Sequence, residues 1–102
     1  MCIFCKIINR ELKAEIVYED NNVLAFKDIR PKSPVHILVI PKEHIPSLNE
    51  VNEKNSHLIS KVMEAIPKVA KKEKIEDGYR IINNCGANAG QEVFHIHFHL
   101  QV

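Results

Sequence analysis

The sequence predicts an α+β fold, a mostly antiparallel five-stranded sheet with one main helix and a short N-terminal helix. Three observations predict it. Two short β-rich runs, Ile16–Glu19 and Val23–Lys27, flank Asp20-Asn21-Asn22, which has the turn chemistry of a hairpin and therefore of antiparallel pairing. A single long segment carries helical periodicity. The other apolar runs lack the regular strand–helix alternation of a doubly wound parallel sheet. With 102 residues, 45% of them hydrophobic, one domain spanning 1–102 can close a core without disulfides.

The elements follow in order. Residues 6–9 fit a short helix behind Cys2 and Cys5. After the hairpin, residues 28–34 form a loop punctuated by Pro31 and Pro34. Residues 35–40 are a dense apolar strand carrying His36 and ended by Pro41. The main helix is predicted over 52–72, where Leu58, Val62, Ile66 and Val69/Ala70, with Ile59 and Met63 alongside, mark one buried face. Pro67 falls inside it and is expected to kink or divide it. Lys68, Lys71, Lys72 and Lys74 read as a solvated helix end that complements the helix dipole. Asp77-Gly78 turns into a strand over 79–83, a polar loop covers 84–91, and residues 93–102 form the last strand.

Composition excludes some functions. A net charge of +1 gives no support to nucleic-acid binding. No apolar run reaches membrane-spanning length. The segment Met1-Cys2-Ile3-Phe4-Cys5-Lys6 lacks the regions of a signal peptide, so a cytoplasmic location is expected. The three cysteines then read as reduced thiols or metal ligands.

The chemistry concentrates in the last strand. His95, His97 and His99 alternate, so a strand would place all three on one face, with Phe94, Ile96, Phe98 and Leu100 on the other. Such a row suits either a metal platform of the three-histidine kind or a nucleophilic imidazole whose neighbours set its tautomer. Hydrogen-bonded core histidines are the plainer alternative, better suited to one histidine than to three in alternation. The preceding loop offers Asn84, Gly86, Gly90 and Gln91. Its glycines could gather backbone N–H groups into an anion-binding nest, which suits attack at phosphorus. Cys2-x-x-Cys5 has the spacing of half a zinc site; packed, reduced thiols are its alternative. Cys85 reads as a bystander, His57 as exposed, and Tyr18 and Tyr79 as structural.

These residues carry a resemblance. Gly90-Gln91-Glu92-Val93-Phe94-His95-Ile96-His97-Phe98-His99-Leu100 resembles the signature of the histidine triad superfamily, His-φ-His-φ-His-φ-φ with φ apolar, and in particular its nucleotide-binding branch. Cys2-Ile3-Phe4-Cys5-Lys6-Ile7-Ile8, Val17-Tyr18-Glu19-Asp20, Val23-Leu24-Ala25-Phe26, Asp28-Ile29, His36-Ile37-Leu38-Val39-Ile40-Pro41-Lys42 and Gly78-Tyr79-Arg80 match in order, so the likeness spans nearly the whole chain.

The resemblance implies a homodimer that binds purine nucleotides and hydrolyses AMP or GMP conjugates, nucleoside phosphoramidates first among them. His97 would attack the α-phosphorus and form a nucleotidyl-histidine. His99 would hydrogen-bond the phosphate, while His95 and His36 would orient the system and pass the leaving-group proton. Asp28 would bind the ribose hydroxyls, with Ile29 and Phe26 near the base. Asn84, Gly90, Gln91 and Glu92 would meet the phosphate or leaving group. A structural Zn²⁺ would sit on Cys2, Cys5, His44 and His95, with one nitrogen of His95 on the metal and the other facing the triad. A dinucleoside polyphosphate hydrolase, or a zinc-stabilised nucleotide-binding protein with little turnover, are the alternatives. Two positions depart from the usual pattern. Glu92 stands where many members carry Ser; a carboxylate there repels anionic leaving groups and favours amines. Relatives usually continue past the position of Val102 with a Gly- and Arg-containing tail that shapes the dimer and the substrate site, which bears on selectivity more than on fold.

Overall fold

The computed structural model describes residues 2–102. Five strands form one sheet: β1 (Ile16–Glu19), β2 (Val23–Lys27), β3 (His36–Pro41), β4 (Arg80–Ile82) and β5 (Phe98–Gln101). Their order is β1-β2-β3-β5-β4, and every neighbouring pair is antiparallel. The β1–β2 turn is set by Asp20, whose Oδ1 accepts from the backbone N–H groups of Asn22 and Val23, both at 2.8 Å. That side chain stands in for a backbone turn, as Asp does by reaching two residues ahead.

The pleat sorts the sheet into two faces. On one, Val23, Ala25, Ile37, Val39, Phe98 and Leu100 pack with Leu58, Val62, Ala65, Ile66, Val69 and Ala70 of α2 (Ser56–Lys72). On the other, Leu24, Phe26, Leu38 and Ile40 pack with Phe4 and Ile7 of α1 (Ile3–Ile8). Helix α1 starts earlier than the predicted 6–9, because Phe4 and Ile7 need helical spacing to reach the sheet together. His36 and His99 share this second face.

Several expectations change in detail. Helix α2 begins at Ser56 rather than 52. Asn55 Oδ1 accepts from Asn52 N at 2.7 Å and Asn52 Oδ1 from Lys54 N at 2.8 Å, so local side-chain turns displace the first helical turn. Pro67 does not divide the helix. It lies on the exposed side, where the carbonyl it leaves unpaired can turn to water. Met63 is 39% exposed rather than buried with its neighbours. Lys72 is not merely solvated, since its Nζ donates to the Val17 carbonyl of β1. Pro41 is the last residue of β3, paired with Val23, rather than the stop beyond it.

The largest change concerns the histidines. Strand β5 is only Phe98–Gln101, so His99 is on the strand while His95 and His97 precede it. The ladder to β3 ends at the Val39–Phe98 pair, and the Ile96 N–H donates instead to the Ile45 carbonyl, at 2.6 Å. Ile96, Phe98 and Leu100 are buried as expected, but Phe94 is 47% exposed. Among the described residues no helix is long and apolar enough to cross a membrane.

Ile66 is buried at the centre of the α2 contact. Ile66→Ala is expected to cost about 2–5 kcal/mol in urea unfolding, and Met63→Ala less than about 1 kcal/mol.

Candidate active site and metal cluster

His95 is fully buried, and its two ring nitrogens have different partners. Nε2 lies 2.8 Å from the Pro41 carbonyl, which can only accept, so Nε2 carries the proton. Nδ1 is left with its lone pair, 3.4 Å from Cys2 Sγ, 3.7 Å from Cys5 Sγ and 3.2 Å from His44 Nδ1. Cys5 Sγ lies 3.5 Å from His44 Nδ1. A tetrahedral ion with metal–sulfur and metal–nitrogen bonds of about 2.3 and 2.0–2.1 Å spaces S and N about 3.6 Å apart and N and N about 3.3 Å apart. These four pairs lie close to those separations, and all four donors lie within 4.8 Å of one another, so the cluster could hold a metal ion. The N–H donated to a backbone carbonyl is the usual support of a metal-bound imidazole. Burial, with the Cys2 thiol alongside, pushes the Cys5 thiol up to about 11, which a bound cation would reverse.

His95 also reaches the triad, but through its backbone. The His95 carbonyl accepts from His97 Nδ1 at 2.8 Å. His97 is thereby fixed as the Nδ1–H tautomer, and among the described residues no partner engages its Nε2 lone pair. The expectation that the second nitrogen of His95 faces the triad is corrected: it faces Pro41. The ring of Phe4 stands edge-on to His97 and His95, at 5.2 and 5.9 Å between centroids.

A second chain of hydrogen bonds sets His99. The backbone N–H of Lys32 donates to His36 Nδ1 at 3.1 Å, so His36 carries its proton on Nε2. His36 Nε2 lies 2.8 Å from His99 Nδ1 and donates to it. His99 then carries its proton on Nε2. Its ring centroid is 5.0 Å from that of His97. Burial, and the neighbouring His97 and His36, hold His99 down to about 4, and burial lowers His36, against the opposing pull of Asp28. Both are neutral at pH 7. The site therefore presents a nitrogen lone pair on His97 next to an N–H donor on His99.

The other expected residues divide. Asp28 lies beside His36, with Oδ2 at 3.5 Å from Nε2, while its Oδ1 accepts from Arg30 N at 2.8 Å. Ile29 is 86% exposed next to it. Phe26 does not offer an open face; it is buried edge-on against Phe4 at 5.4 Å and backs the site from the core. Gln91 is also corrected. Its Nε2 donates to the carbonyls of Pro46 and Val93, at 2.8 and 3.0 Å, and its Oε1 accepts from Gly86 N at 2.8 Å. With both donors used and the side chain buried, it staples the loop and leaves nothing for a phosphate. The expected nest is closed for the same reason: the N–H groups of Gly86, Ala89, Gly90 and Gln91 are bonded within the loop. Gly90 serves by its left-handed φ of 87°. Asn84 is half-buried, with no side-chain hydrogen bond among the described residues, and Glu92 is exposed.

Two cavities flank these groups, and neither is lined by His97 or His99. The larger, about 320 Å³, is lined by Cys2, Ile3, His44, Glu92, Val93 and Phe94 and opens over the metal cluster. The smaller, about 170 Å³, is lined by Asp28 and His36 among others. Residues that sequence reading did not place include Phe4 and Asn83, whose Nδ2 donates to the His97 carbonyl at 2.9 Å. Asn83 carries no local motif; only the β4–β5 pairing brings it there.

Because His36 and His99 are held below the ordinary histidine value of about 6.5, the unfolded chain binds protons first as pH falls. Stability from this pair is complete above about pH 6.5 and is lost as pH falls toward about 4. Urea midpoints measured across that range are expected to fall, and His99→Asn is expected to flatten the decline.

Comparison with known proteins agrees with this geometry. A family model described as "Scavenger mRNA decapping enzyme C-term binding" matches residues 1–102. The purine nucleoside phosphoramidase of Escherichia coli K12 is 48% identical over 99 residues, covering 96% of this chain and 83% of that protein. A HIT family hydrolase from Clostridium thermocellum superposes with a TM-score of 0.95 at 53% identity, over 98% of this chain and 88% of the other. One from Legionella pneumophila gives 0.95 at 47% identity, over 100% and 92%. The chain belongs to the histidine triad (HIT) family.

Proposed function

We propose that the protein hydrolyses purine nucleoside 5′-phosphoramidates and related AMP or GMP conjugates. The observation that carries this reading is the lock of His97 Nδ1–H on the His95 carbonyl, which leaves Nε2 free to attack. The likeness to a phosphoramidase over nearly the whole chain supports it. His97 Nε2 bonds to the α-phosphorus as the P–N bond breaks, and the departing amine takes a proton from solvent. Water then displaces His97 from the nucleotidyl-histidine and gives the nucleoside monophosphate. The His99 Nε2–H donates to a phosphoryl oxygen as charge builds there. His36 holds His99 in the required tautomer. Asp28 keeps an oxygen for the ribose hydroxyls, and exposed Ile29 gives the base an apolar surface. Asn84 is the remaining amide for the phosphate, and exposed Glu92 favours an amine over a polyphosphate leaving group.

We further propose that the ion of Cys2, Cys5, His44 and His95 is Zn²⁺. Two thiolates and two imidazoles suit a closed tetrahedral site, in which zinc would be structural. These residues tie the chain start and the segment after β3 to His95, and so to the carbonyl that orients His97. Exposed Ile81 on edge strand β4 and half-exposed Met63 on α2 support a homodimer joined through these elements.

His97→Gly is expected to abolish turnover of a fluorogenic adenosine phosphoramidate while AMP affinity stays within about threefold, by calorimetry. Retained turnover would exclude His97 as the nucleophile. Metal analysis should find about one equivalent of zinc per chain, lost in Cys5→Ala; less than about 0.2 equivalents would remove the zinc assignment.

A further inference from the structure

Gln101 occupies the last position of His-φ-His-φ-His-φ-φ, where an apolar side chain is the rule. It continues the alternation of His97 and His99, so the pleat of β5 puts it on the same face. It is 9% exposed, opposite His36 on β3 and Arg80 on β4. A polar amide buried in a sheet is costly unless it bonds a specific partner. Its partner is His36. The carboxamide nitrogen is placed 3.2 Å from His36 Nε2.

That placement sets two donors face to face. The Lys32 N–H holds the lone pair of His36 Nδ1, so the proton of the neutral ring is on Nε2. An N–H of Gln101 could donate to Nε2 only if the ring accepted at both nitrogens, which neutral imidazole cannot do. Exchanging the two ends of the amide removes the conflict, because they are nearly the same shape. We infer that Gln101 presents its carboxamide oxygen to the His36 Nε2–H and is a positioning residue for the triad. It shares that proton with His99 Nδ1, at 2.8 Å, and pins the His36 ring from the strand side while Lys32 pins it from the loop side. The role follows from the proposed function, since His36 acts through His99 on the phosphate. The other charged groups facing His36 are Asp28 and Lys32, with Lys27 and Glu73 lining the same cavity. None of them lies on β5.

The test pairs Gln101→Met, an apolar near-isostere, with Gln101→Glu, whose carboxylate can only accept. The readouts are imidazole ¹⁵N NMR of His36 and His99 at pH 7.5, and kcat and KM with adenosine phosphoramidate. In Gln101→Met the His36 Nε2–H signal is expected to shift and broaden, with kcat lower by about tenfold and KM changed by less than about threefold, the worth of one hydrogen bond in the transition state. Gln101→Glu is expected to keep the Nε2–H tautomer and to recover most of the lost kcat. Unchanged His36 and His99 spectra in Gln101→Met, or loss of the Nε2–H tautomer in Gln101→Glu, would overturn the inference. If Gln101→Met does not fold, the same spectra and rates are read in Gln101→Leu, the apolar type of side chain that the motif has at this position. Failure of the wild type to turn over would defeat the proposed reaction, while the spectra would still decide the role of Gln101.

Discussion

Everything in this site hangs on one fully buried imidazole with three bonds. His95 donates from Nε2 to the Pro41 carbonyl, turns Nδ1 to two thiols and His44, and lends its own backbone carbonyl to His97. A buried histidine must be satisfied at both nitrogens or lose stability. Here that requirement fixes ring orientation, tautomer and the lone pair turned toward the cysteines together. Burial, with its histidine neighbours, brings His95 down to about 4, so the ring stays neutral and its Nδ1 lone pair is available to a metal ion. The Cys2–Cys5–His44 cluster and His97 are thus joined by one residue, the first through its side chain and the second through its main chain.

The triad works by assigned protons rather than by charge. One backbone N–H, from Lys32, and one backbone carbonyl, from His95, are each fixed by the fold and can play only one role. From them the state of three rings follows: His36 donates from Nε2, His99 accepts at Nδ1 and donates from Nε2, and His97 donates from Nδ1. Proximity to Asp28 does not override this, because both His36 and His99 are pushed toward neutrality by burial. The paired rings therefore present hydrogen-bond donors and lone pairs rather than a permanent cation.

The sequence made much of the fold legible because its signals are local. Strands Ile16–Glu19 and Val23–Lys27 appear at the expected residues, since two short apolar runs and the Asp-Asn-Asn turn between them need no distant partner. Cys2, Cys5, His44 and His95, named together by the family likeness, form a cluster that could hold a metal ion. What could not be read were the hydrogen bonds that side chains make across the fold. Gln91 looked like a phosphate ligand because its residue type suits one, yet Pro46, 45 positions away in sequence, claims its amide. Likewise the alternation of the histidines predicts a continuous strand. The bond from Ile96 to Ile45 ends the ladder early, and nothing near Ile96 in sequence announces it. The pairing of Gln101 with His36 is likewise a contact between strands, with no local signal at either residue.

The segment after β3 makes three unrelated attachments in three consecutive residues. His44 enters the metal cluster, the Ile45 carbonyl receives Ile96, and the Pro46 carbonyl receives Gln91. This short stretch behaves as a ruler, since its residue count sets how cluster, histidine segment and glycine loop stand relative to one another. A single inserted or deleted residue here would put all three out of step at once, although the chain is partly exposed and looks like a permissive connection. Tags, linkers or circular permutation breaks belong instead at 52–55, which holds itself together by its own side-chain turns.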